Sequence, residues 1–184
     1  MRVEAAIAEL RAQVEMVRGW GVDFTHIDTH MGAALHPALL GAYIELGFEY
    51  SVPVLMLRQI SATVRGMGFV QASDEEWSAL VTGLEARGMA LVDHFGVTPG
   101  YGSDETEGGR AELYEAMLHS LPPGITYISL HPNAPGDIEA ISPDRAHWRT
   151  FEYEYFRSDR LRAFLTKEGI IPIGYRELRD ALAD

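Results

Sequence analysis

The chain has 184 residues and a mass of 20.4 kDa, with 47% hydrophobic and 23% charged residues; that balance is globular and excludes a disordered chain. Fifteen Lys and Arg against 27 Asp and Glu leave a net charge of −12, which repels a phosphate backbone or an anionic membrane and argues against both as partners. Cysteine is absent, which removes disulfides, thiolate metal sites and cysteine nucleophiles and fits a reducing, cytoplasmic setting.

No apolar run approaches the roughly 20 residues of a membrane span, and the opening MRVEAAIAEL lacks the apolar core of a signal peptide. Residues 3–18 predict an amphipathic helix: Val3, Ile7, Leu10, Val14 and Val17 line one face, and Gly19 and Gly21 follow. Phe24 to Asp28 predicts a strand, Pro37 to Leu46 a helix with proline in its first turn, and Val52 to Leu57 a second strand. Ser73 opens a helix running to about Glu85, because Glu76 three residues later completes a capping box. Met89 to Val92 predicts a third strand, and the glycine-rich 96–109 a loop. A helix over 110–120 precedes a fourth strand, Ile125 to Leu130. Ser142-Pro143-Asp144 and Ser158 each open a helix, Ile170 to Ile173 predicts the last strand, and Tyr175 to Leu182 the last helix.

Helices and strands alternate, and VPVLML and ITYISL are apolar at nearly every position. Strands of that kind have both faces covered, so the fold class is α/β: a parallel sheet with flanking helices. No linker or repeat divides the chain, which reads as a single domain.

Chemistry in such folds gathers at the carboxyl ends of strands. Two segments stand there. In Phe24–His30, alternation would put His26, Asp28 and His30 on one side if the extended backbone persists. In Ile125–Leu130, the strand runs into His131, and Pro132 biases that histidine toward an extended conformation beyond the strand tip. Two imidazoles and a carboxylate suit Zn²⁺ or another divalent ion, which would activate water and polarise a carbonyl. A lone histidine at a strand end is more often a hydrogen-bonded structural residue, so only Asp28, His30 and His131 together raise the metal reading. His36 before Pro37 suits a helix cap, and Asp93-His94 either reaches the same rim or forms a loop pair. Arg58 suits a surface ion pair, while Trp148, Phe151, Tyr153 and Tyr155 suit packing more readily than stacking on a sugar. A phosphate-binding loop and a Gly-x-Ser-x-Gly elbow are both missing.

Thr25–His30 (THIDTH) resembles the Thr-His-x-Asp-x-His segment of the YdjC-like carbohydrate deacetylases, which include chitooligosaccharide and hopanoid-associated glycosyl deacetylases. Leu130–Pro135 (LHPNAP) is similar to that family's second His-Pro segment, and Phe156–Leu178 to its closing helix, strand and Tyr-Arg-x-Leu signature. The resemblance implies a distorted or incomplete (β/α) barrel that removes an N-acetyl group from an amino sugar or chitooligosaccharide-like substrate. It implies one divalent ion, Mg²⁺ or Zn²⁺, held by His30 and His131, with Asp28 either next to the ion or one step removed from it and steering His30. Gly32 stands where many members carry a further histidine, and the family's amino-terminal Asp-Asp segment has no counterpart. The expectation is therefore the carboxyl-terminal portion of such a barrel: a fragment, an incomplete reading frame or a divergent member. Asp28 or Asp93 would have to stand in as the base. The alternative expectation is a non-catalytic relative that binds carbohydrate or self-associates as a homo-oligomer.

Overall fold

The structure is a computed structural model that describes residues 2–68, 70–98 and 106–181. In chain order the elements are helix α1 (Val3–Gly19), a 3-10 turn (His30–Leu35), helices α2 (Pro37–Tyr50), α3 (Ala62–Gly66) and α4 (Asp74–Ala86), strand β1 (His94–Val97), helix α5 (Glu107–His119), strand β2 (Thr126–Ser129), and helices α6 (Asp137–Ile141), α7 (Pro143–Phe156), α8 (Asp159–Glu168) and α9 (Tyr175–Asp180). The chain divides into two compact units, 1–94 with 173–184, and 95–172. The fold class is the expected one: α/β, with a small, open parallel sheet and flanking helices, in keeping with a distorted or incomplete barrel. Among the described residues no helix is long and apolar enough to cross a membrane.

In the first unit the strands are short but correctly paired. Ile27 N–H donates to Pro53 O at 3.0 Å and Leu55 N–H to Ile27 O at 3.0 Å, so Ile27 faces Val54 in a parallel bridge. Val92 N–H donates to Met56 O at 3.0 Å and Arg58 N–H to Val92 O at 2.7 Å, which pairs Leu57 with Val92 the same way. Three predicted strands are thus neighbours, with 52–57 in the middle. Val54, Met56, Leu91 and Val92 are buried, as are Tyr43 of α2 and Trp77 and Leu84 of α4. Local signals set the helix ends. His36 Nδ1 accepts from Ala38 N–H at 3.1 Å, the cap expected of it, with Pro37 opening α2. Ser73 and Glu76 form the predicted capping box of α4.

The second unit pairs β1 with β2, which are joined through α5. Its core cluster is Ala111, Tyr114, Leu118, Tyr155 and Leu161. The second half of β1, Gly96 and Val97, falls where a loop was expected, because the polar Asp93-His94 ahead of it conceals a strand whose pairing is set by β2. Part of the predicted 96–109 loop (99–105) and the end of the last predicted helix (Leu182) lie outside the described residues. The strand predicted at Ile170 to Ile173 does not form. Ile170 N–H closes the end of α8 on Leu165 O at 2.9 Å, and Pro172 has no N–H to give a ladder. Ile171 is left 81% exposed.

Candidate functional site

The carboxyl ends of the three paired segments in the first unit carry Asp28, Arg58 and Asp93, each directly after a bridging residue. The segment before Asp28 is pinned from beneath: the buried Tyr43 hydroxyl donates to Ile27 O at 2.8 Å. Asp28 itself is exposed, and its Oδ1 accepts from Thr29 N–H at 2.6 Å. Thr29 Oγ1 in turn accepts from Ala34 N–H at 2.7 Å. Arg58 Nε donates to Asp93 Oδ1 at 2.6 Å, and its guanidinium also meets Glu85, so the Arg58 ion pair is observed as expected. Trp77 Nε1 donates to Leu57 O at 2.9 Å and holds the strand that presents Arg58.

The alternation of His26, Asp28 and His30 does not persist. The backbone is extended through Thr29, then enters the 3-10 turn at His30, with Met31 at φ 55° and Gly32 at φ 66°. Two successive left-handed residues reverse the chain, so His30 is exposed in a turn rather than aligned along a strand. His26 is committed elsewhere: its ring stacks on Tyr175 of α9, with centroids 4.0 Å apart and planes within 7°. Burial depresses the pKa of His26, and the charge of Asp28 acts weakly against that shift. Arg176 and Arg179 of α9 grip Asp23 just ahead of the segment.

In the second unit His131 stands past the end of β2, as predicted. The charged group that holds it was not foreseen. Glu152 of α7 is 0% exposed. Its Oε2 accepts from His131 N–H at 2.7 Å, and its Oε1 accepts from Tyr114 Oη at 2.7 Å, Thr98 Oγ1 at 2.8 Å and Trp148 Nε1 at 3.0 Å. Burial, the largest single influence, pushes this carboxyl up. The bonds from His131, Tyr114, Thr98 and Trp148 together outweigh it and hold the group below its ordinary value. The Trp148 ring lies 5.7 Å from the His131 imidazole, whose Nδ1 is buried and has no hydrogen-bond partner among the described residues. Trp148, Phe151 and Tyr155 serve packing and hydrogen bonding here, as the simpler reading held. The sequence does carry a signal for Glu152: a carboxylate four residues after Trp148 and three before Tyr155, on the buried stripe of α7.

The expected divalent ion, Mg²⁺ or Zn²⁺, is corrected by this geometry. Among the described residues no group of three or more His, Cys, Asp or Glu side chains is placed to hold a metal. Within the first unit the cause is visible: the turn at His30 breaks the shared side, His26 is stacked on Tyr175, and Asp28 bonds its own neighbouring N–H.

A family model described as "YdjC-like protein" matches residues 1–167. A protein named carbohydrate deacetylase from Thermus thermophilus is 27% identical over 181 residues, covering 98% of this chain and 62% of that relative. One of the same name from Brevibacillus brevis is 26% identical over 170 residues, covering 92% and 60%. The crystal structure of an Enterococcus faecalis V583 protein, named for a proposed role in cellobiose-phosphate cleavage, superposes with a TM-score of 0.66 at 19% identity, covering 97% of this chain and 62% of that one. That likeness is one of fold. The chain spans about three fifths of the length of the curated relatives it matches.

Proposed function

Because this chain belongs to the YdjC-like protein family, we propose that it acts as a carbohydrate-directed amide hydrolase, removing the N-acetyl group of an amino sugar. The observation that carries the reading is the placement of its two motif-bearing segments. The last three residues of THIDTH follow the bridging Ile27 and LHPNAP follows β2, each at the end where α/β folds keep their chemistry. The names of the curated relatives point to the same chemistry. In the reaction, water adds its oxygen to the acetyl carbonyl carbon and the C–N bond breaks. Acetate leaves, and the sugar nitrogen gains a proton. Asp28, exposed and anchored through Oδ1, is the proposed acceptor of the water's proton. His30 and His131 are proposed as further side chains on which turnover depends.

Acetate release from N-acetylglucosamine oligomers tests the proposal. Asp28→Asn, His30→Ala and His131→Ala should each lower turnover by about a hundredfold or more. Absence of acetate release by the wild-type chain, or wild-type turnover in all three variants, would refute it.

One observation favours a second reading. With no three-residue metal-binding group among the described residues, a relative that binds carbohydrate without turning it over is also consistent with the family. Calorimetric binding of the same oligomers with no acetate released would establish it, and released acetate would dismiss it.

A further inference from the structure

The N–H groups around His131 all lead to one helix. His131 N–H ends on Glu152 of α7 at 2.7 Å. Pro132 has none to give. Asn133 N–H ends on Arg149 O of α7 at 3.1 Å, and Arg149 Nη1 returns a bond to Asn133 Oδ1 at 3.2 Å. The segment is therefore clamped on both sides of the proline, with Trp148, one turn before Glu152, against the imidazole.

An ionised carboxylate accepts from every donor in this arrangement. Oε2 faces a main-chain N–H and Oε1 faces, among others, an indole N–H; neither can accept a hydrogen bond. A glutamine at 152 would turn its amide NH₂ toward one of them, whichever way it flipped. A protonated carboxyl would face the same conflict wherever its hydrogen pointed at those donors. The carboxylate also reaches Thr98 beyond β1 and Tyr114 of α5, so it ties α7 to three other segments of its own unit.

We propose that Glu152 is a positioning residue for His131: its buried carboxylate, together with the Asn133–Arg149 bond, sets where the imidazole stands past the tip of β2. The catalytic part of this statement rests on the reading that His131 takes part in deacetylation; the positional part does not.

Amide hydrogen exchange of the full chain, resolved by NMR, tests the positional part. In the wild type the His131 amide should exchange slowly for a residue outside regular structure. In Glu152→Gln it should exchange about tenfold faster or more, the loss expected for a bond to a charged acceptor. Leu161→Ala, which loosens the core of the same unit without touching Glu152, is the structural control: it should speed that unit's amides together rather than single out His131. If Glu152→Gln does not fold, the wild-type protection of His131 decides alone. An unprotected His131 amide in the wild type, or equal protection in Glu152→Gln, would overturn the proposal. The catalytic part is read from acetate release: Glu152→Gln should lower kcat by about tenfold to a hundredfold with KM little changed, the cost of a displaced group, and the Leu161 control should not. An unchanged kcat overturns the catalytic part. A wild-type chain that releases no acetate counts against the proposed function, while the exchange result still decides the clamp.

Discussion

Gly47 lies in α2, the helix that covers the strand segment leading to Arg58. A Cβ added there would sit 2.7 Å from Val54 Cγ1, 2.9 Å from the main-chain oxygen of Val52 and 3.3 Å from Met89 Cε. Val54 is 0% exposed and branched at Cβ, so it has little room to rotate, and the Val52 oxygen belongs to the backbone of a paired segment. Replacing Gly47 with alanine brings opposing effects. Alanine in a helix interior gains about 1 kcal/mol over glycine. Forcing a methyl group into a packed interior costs about 1–3 kcal/mol, and two contacts below 3.0 Å place this case toward the upper end. Gly47→Ala should therefore destabilise by about 1–2 kcal/mol net, lowering the melting temperature by roughly 2–8 °C in a chain of this size. Gly41, in the same helix, is exposed and meets nothing within 4 Å, so Gly41→Ala should stabilise by about 0.5–1 kcal/mol. Circular-dichroism melts and denaturant midpoints of both variants give the comparison. If Gly47→Ala melts at or above the wild type, the close approach of α2 to the 52–54 segment is wrong.

Ser73→Ala removes the hydroxyl that accepts from Glu76 N–H at 3.2 Å and should cost about 1 kcal/mol; a denaturant midpoint equal to the wild type would show that α4 begins without its cap. Tyr155 offers a pH test. Burial, then the charge of Glu115, pushes its phenol from 10.0 up to about 12. The folded state thus favours the neutral form. That contribution is complete below pH 10 and is lost as pH rises through about 12. Ultraviolet titration should show a phenolate component near that upper value that disappears in Tyr155→Phe, with stability falling across the same window; a Tyr155 that titrates with the exposed tyrosines would refute the packing described.

Except for the single-turn helices α3 and α6, which were not expected, the helices could be read from the chain because their signals are local. Ser73 and Glu76, or His36 and Pro37, announce an end within one turn, and the structure uses both. Strand limits depend on partners far along the chain. Nothing near His94 says that β1 begins there, since its pairing is decided by β2 some thirty residues later. Ile170 to Ile173 shows the converse: an apolar run with good strand composition remains unpaired because its first N–H is spent on α8 and its third residue is proline.

The site follows the same division. Asp28, His30 and His131 stand out by residue type and by their places after apolar strands. Within the first unit, how His30 stands to Asp28 depends on backbone torsions, and there Gly32 is the informative residue: it supplies one of the two positive φ values that end the extended run and turn His30 away from the alternation. Glu152 shows the limit from the other side. A carboxylate on an apolar helix face says only that donors must be found, because an unpaired buried charge costs more than a fold of this size can carry. Which donors answer is settled by tertiary structure: Thr98, Tyr114, His131 and Trp148 come from four different places in the chain. The half-buried His131 is thus held through its main-chain N–H by a carboxylate that never reaches the surface.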